Sequence, residues 1–194
     1  MLKQITLTAI GLFFTSQLAF AANYTIDPIH SQVHFTIPHL MVFKVHGTFS
    51  EFSGSVEFDA GSKSLKSAAG TVQVSSLDTR EAKRDQHLKS SDFFAADQYP
   101  AMTFASKKVS QNGDTIKVIG DLTIRGVTRE VTLDGKYLGT QIDPWGNIRT
   151  GFIAETTINR HDYGLSWNKT LESGGVMVGE EVVIGLEIQA IMNR

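Results

Sequence analysis

The chain has 194 residues, 41% of them hydrophobic, a formal net charge of −2 and no cysteine. Without cysteine there is no disulfide framework, no thiol catalysis and no acylated-cysteine anchor, so stability must come from a core. The balance of 18 basic against 20 acidic residues excludes the electrostatic footprint of a nucleic-acid binder.

The first 21 residues read as a leader. Lys3 precedes an apolar run through Leu7, Ile10, Leu12, Phe13 and Phe14, and Ala19-Phe20-Ala21 closes it with a signal-peptidase signature. The run is too short, and too interrupted by Thr and Gln, to span a bilayer as a helix. Cleavage after Ala21 is expected, leaving one domain over 22–194 with a charge of −3. No later segment approaches the roughly 20 apolar residues of a membrane helix, so the mature protein is expected to be soluble and outside the cytoplasm.

The rest alternates with period two, the sign of half-buried antiparallel strands. Val33, Phe35 and Ile37 share a face opposite Gln32, His34 and Thr36. Val72 with Val74, Met102 with Phe104, and the series Ile116, Val118, Leu122 and Ile124 continue the pattern. Val127 to Leu133 and Ile148 to Ala154 follow, and Val182, Ile184, Leu186, Ile188 and Ala190 form the clearest run. Turn signals fall at Asn112-Gly113-Asp114, Arg125-Gly126, Asp134-Gly135, Asp143 to Asn147 and Gly174-Gly175. Residues 61–70 read as a loop.

Asp78 to Lys89 breaks the pattern. It has no Gly or Pro, and Asp78 with Glu81 forms a capping box, which predicts a helix with little apolar surface. That helix should lie over an end or side of the sheet. About eight long strands with short Gly turns admit a sandwich or a closed barrel. Up-and-down order favours the barrel, which removes the edges and can be just wide enough for one small ligand.

Three groups of residues could carry chemistry. Asp27, His30, Ser31, His34 and His39 cluster in sequence, but their spacing matches no closed metal site; the alternatives are a hydrogen-bonded strand entry and a ligand-facing role. Arg80, Lys83, Arg84 and His87 fall on one helical face, either a basic stripe for an anionic head group or a solvated face offset by Glu81 and Asp85. Arg160, His161 and Asp162 precede Ser166, yet no nucleophile elbow is present, so pairing of Arg160 or His161 with Asp162 in a corner is the preferred reading. No P-loop or dinucleotide fingerprint occurs, and no cofactor is implied. Twelve Phe residues could line an apolar cavity or simply fill a core.

Five segments in order, YTIDPIHSQVHFTIPHL, VHGTFSEFSGSVEFD, REAKRDQHLKSSDFFAADQYPAMTF, GDLTIRGVTREVTL and TTINRHDYGLSWN, resemble the YceI-like periplasmic proteins. The resemblance covers nearly all of the mature chain. It implies a mainly β fold: an eight-stranded antiparallel up-and-down, lipocalin-like barrel with a helix capping one end. It also implies a periplasmic carrier with a long isoprenoid, a polyprenyl phosphate or quinone, inside the barrel. Carried onto this chain, it places His30, Ser31, His34, Arg80, Arg84, Asp85 and His87 near the polar end of the ligand. It makes Phe35, Phe49, Phe94, Phe104 and Phe152 lining residues. An enzyme acting on a barrel-bound lipid or quinone, and a ligand-free stress-related protein with a filled barrel, are the alternatives. A homodimer is compatible with the sequence.

Overall fold

The structure, a computed structural model, describes residues 21–172 and 174–193; the rest of the predicted leader lies outside them. Strands β1 (Ala22–Ile26), β2 (Gln32–His39), β3 (Phe43–Phe49), β4 (Phe52–Asp59) and β5 (Ser64–Gln73) come first. A two-residue strand β6 (Leu77–Asp78) and helix α1 (Ala82–Lys89) interrupt the sheet. Then β7 (Ala101–Asn112), β8 (Thr115–Ile124), β9 (Val127–Ile142), β10 (Ile148–Asn159) and β11 (Glu181–Met192) complete it.

All pairings are antiparallel, and β1-β4-β5-β7-β8-β9-β10-β11 closes on itself through β11 and β1. The result is the expected eight-stranded barrel. Two of its staves are broken. β1 and β2 lie end to end along β11, with Ile26 opposite Ala190 and Gln32 opposite Glu187. β3, on β2, leads into β4, on β1, in the same way. Beside β3 the wall is completed by β6, with Phe49 opposite Leu77, and α1 follows directly. The helix thus covers the barrel where β5 has already ended.

Alternation sets the inside. Ile116, Val118 and Ile124 of β8 are buried, and Leu186 of β11 packs against both halves of the core. Three expectations need correction. Of the expected loop 61–70, residues 64–70 belong to strand β5: Ala69 lies between Ser55 and Ala105, paired on both sides, and pairing overrides the weak propensity of Ser, Ala and Gly. Asp134-Gly135 lies within β9, paired with Lys117 and Ile116. The helix starts at Ala82, capped by the Glu81 carboxylate, which accepts from Lys83 N at 3.2 Å and Arg84 N at 2.5 Å. Asp78 instead accepts from Arg80 N at 2.6 Å, and Arg80 sits at φ 65° outside the helix. The left-handed residue breaks the helical phase, so the basic stripe loses its first member.

The core has two parts. Tyr24, Val56, Phe58, Tyr137 and Phe152 pack at the end where β9 turns into β10. Val33, Phe49, Leu77, Phe93, Tyr163 and Leu165 pack beneath the helix.

Candidate functional site

A cavity of about 390 Å³ runs inside the barrel, within the range of small-molecule sites. Every long strand contributes to its wall. Phe152, Val118 and Leu133 border one end, and Leu88, Phe94, Trp167 and Met177 the other. Among the described residues, no Asp or Glu borders it. The space has a local cause: Ala68, Ala69 and Gly70 of β5 replace large side chains along one stave. On β2 an aromatic ring is laid against the sheet. Phe35 is paired with Gly47, where an added Cβ would come within 2.3 Å of its ring; only glycine lets the ring lie flat on the neighbouring strand.

The helix end is aromatic and basic. Phe35 lies tilted against Phe49, ring centres 5.9 Å apart, and Phe49 meets Phe94 edge-to-face at 6.3 Å. His87 lies edge-on to Trp167 at 4.8 Å and to Phe93 at 5.1 Å. Its Nε2 meets Asp92 Oδ2 at 2.9 Å. Arg160, after β10, crosses below this layer, donating from Nε to Gly179 O at 2.7 Å and from Nη1 to Leu165 O. Burial pushes the Arg160 pKa down, against the charge of Glu180. Burial also pushes the Tyr163 hydroxyl up to about 12, helped by Asp162.

A family model of the YceI-like domain matches residues 24–190. The chain belongs to the YceI-like family. Its curated relatives include the UPF0312 protein SA2479 of Staphylococcus aureus strain N315, 45% identical over 161 residues, which span 82% of this chain and 92% of the relative. A Campylobacter jejuni YceI protein has the same fold at TM-score 0.71 and 27% identity, with both chains covered in full. Burkholderia cenocepacia BcnA matches at TM-score 0.73 and 24% identity, over 84% of this chain and 98% of that one. A polyisoprenoid binding domain from Saccharophagus degradans matches at 0.65 and 16%, over 89% and 99%.

In this YceI-like barrel Phe35, Phe49, Phe94, Phe104 and Phe152 all border the cavity. Arg84 and His87 border it at the helix end. Arg84 is also committed to the β6–α1 turn, where Nε donates to Thr79 Oγ1 and Nη2 to Thr79 O, each at 2.7 Å. Asp85 closes the same turn, accepting from Thr79 N at 2.9 Å and Thr79 Oγ1 at 2.5 Å. Arg80 is exposed and lies with His46, Thr48 and Asp78 in a shallow outer groove.

His30 and Ser31 lie elsewhere, toward the end opposite the helix. Ser31 Oγ donates to Asp27 O at 2.7 Å and accepts from Gln189 N at 2.9 Å. The exposed His30 meets Asp27 Oδ2 through Nδ1 at 2.8 Å. Arg149 bridges Asp27 at 2.6 Å and Asp143 at 2.7 Å, latching the broken stave to the β9–β10 turn. Burial acts to raise the Asp27 pKa, but hydrogen bonds from His30 and Arg149 outweigh it and hold the carboxyl at about 2. The strand-entry reading of Asp27, His30 and Ser31 therefore describes what the structure shows. His34 belongs to the outward set with Gln32 and Thr36; its ring covers Gly185, where an added Cβ would meet Nε2 at 2.1 Å. Strand phase directs the imidazole away from the interior, although the residue borders the cavity.

Sequence reasoning assigns no lining role to Trp167, Met177 and Tyr163, which also border the cavity. They stand in irregular segments, where no periodicity marks the inward face. Neither expected pairing of Asp162, with Arg160 or with His161, is found among the ion pairs of the described residues; Arg160 donates to backbone carbonyls instead.

Proposed function

We propose that this YceI-like protein is a binding protein that carries a long isoprenoid lipid, of the polyprenyl phosphate or quinone type, inside the barrel. The observation that carries the reading is the cavity itself: 390 Å³, lined along its length by Phe, Leu, Val, Ile and Ala side chains. Water gains little from such a wall, whereas a hydrocarbon chain gains about 0.8 kcal/mol for each CH2 removed from solvent. Affinity then grows with chain length and needs no catalytic group. The likeness to a polyisoprenoid binding domain supports an isoprenoid over other apolar chains. The leader motif supports export and a periplasmic setting, in which a carrier would shield an insoluble lipid between membranes. Cleavage after Ala21 would leave β1 intact, since that strand begins at Ala22.

Native mass spectrometry of the protein isolated from its own cells, followed by solvent extraction, tests the carrier reading. One isoprenoid per barrel is expected. Leu186→Trp, placed at the waist where the two core clusters meet, should fold and carry none. Wild-type protein that arrives without lipid and takes up no added polyprenyl chain would overturn it. Cell fractionation with N-terminal sequencing checks the location, with Ala22 expected as the first residue.

A further inference from the structure

Two hydrogen-bonding groups beneath the helix have no partner among the described residues. Arg160 is 3% exposed and Tyr163 1% exposed. Arg160 Nη2 and the Tyr163 hydroxyl are buried without a hydrogen bond. Both residues border the cavity. A third such group, the Tyr24 hydroxyl, belongs to the opposite core cluster and not to the cavity wall.

Buried polar groups are nearly always satisfied, and a buried charge nearly always has a counter-charge. Arg160 has neither in full. No carboxylate lies within ion-pair distance of it among the described residues, and none borders the cavity. Glu180, whose charge it feels, is exposed and accepts from Asn159 Nδ2 at 3.5 Å. Meanwhile Gly179 O and Leu165 O hold Nε and Nη1, so the guanidinium is fixed in direction before any ligand arrives. A guanidinium can only donate, and a phenol readily donates. The group that would satisfy both is an acceptor, and the charge requires an anion. A quinone carbonyl supplies the first but not the second.

We propose that Arg160 Nη2 and the Tyr163 hydroxyl anchor the phosphate head group of a polyprenyl phosphate whose tail occupies the cavity. This rests on the lipid-carrier reading and narrows it from two head-group classes to one. Arg suits phosphate in particular, because its planar donors match the oxygen geometry. The opposite pKa displacements of the two residues share one main cause, burial in a site withdrawn from water.

The test uses two probes with one tail, geranylgeranyl phosphate and geranylgeraniol, titrated into delipidated full-length protein and read by calorimetry. The phosphate should bind roughly ten- to a hundredfold more tightly than the alcohol. Tyr163→Phe keeps the ring and its packing; it should weaken the phosphate several-fold and leave the alcohol unchanged. Arg160→Met should abolish the preference, scored only if its thermal unfolding stays cooperative; Tyr163→Phe carries the test if it does not. Equal binding of the two probes by wild type overturns the anchor while leaving the tail cavity standing. So does a Tyr163→Phe protein that keeps the full preference. Failure of both probes to bind overturns the carrier reading itself.

Discussion

The two ends of the barrel are built from similar residues and differ in how completely they are closed. At the end beyond the helix, Phe58 is fully buried and touches Tyr24 at 5.9 Å, Tyr137 at 5.1 Å and Phe152 at 5.5 Å. A latch of two carboxylates and one guanidinium ties the strands outside this cluster. At the helix end the rings of Phe35, Phe49 and Phe94 form a chain along the cavity, and Arg160 keeps an unmatched charge. At the first end Phe58 and Tyr24 stand off the cavity with no exposed surface; at the second Phe35, Phe49 and Phe94 all border it. Stability should therefore reside at the first end and binding at the second.

Phe58→Ala should give the largest effect. A fully surrounded ring leaves a cavity that cannot collapse, and a loss of about 3–5 kcal/mol is expected in urea unfolding. A smaller loss would show that the closed end is loosely packed and would dissolve the contrast. Asp27→Asn comes next, at about 1–2 kcal/mol after allowing for solvent screening. The sign follows from the folded pKa of about 2, below the unfolded value near 3.9. Ionised Asp27 therefore contributes fully above pH ~4, and its contribution is lost as pH falls through about 2. In Asp27→Asn that part of the acid unfolding profile should vanish, which a pH series of thermal melts would show.

Phe94→Ala reverses the balance. Its ring already borders the cavity, so it should cost less than half of the Phe58 effect, roughly 1–2 kcal/mol, while lowering affinity for an apolar chain. A variant as unstable as Phe58→Ala would mean that the two ends do not differ in packing. The smallest effect is expected at Arg80→Gly. Relief of the left-handed backbone should leave stability level or raise it by about 0.5–1 kcal/mol. Lipid binding should not change, because Arg80 stands outside the cavity; weakened binding would restore it to the basic stripe.

Much of this was legible in the chain. Runs such as Val182 to Ala190 identify strands because a residue facing the interior must be apolar every second position. Phe35, Phe49, Phe104 and Phe152 stand on strands and share the same logic; Phe94, in the turn after α1, does not. What escaped detection had no period to reveal it. Ser64 to Gly70 lacks β-branched and aromatic residues and is strand because β4 pairs along it and β7 joins from Ala69. The family resemblance groups His30 and Ser31 with the basic helix, yet β1 and β2 carry them to the far end, where Ser31 meets Gln189 and His30 meets Asp27.

The sequence by itself determined the class of the protein: a cysteine-free chain, antiparallel strands and a family pattern that the YceI-like model matches over residues 24–190. Those properties follow from local composition and from side-chain alternation, which neighbouring residues record. Tertiary structure alone decided that small residues of β5 and aromatic rings from other elements border one cavity, and that Arg160 spends two of its donor groups on backbone carbonyls and leaves the third without a partner among the described residues. Such facts depend on which distant atoms meet, and that is fixed only when the sheet closes on itself.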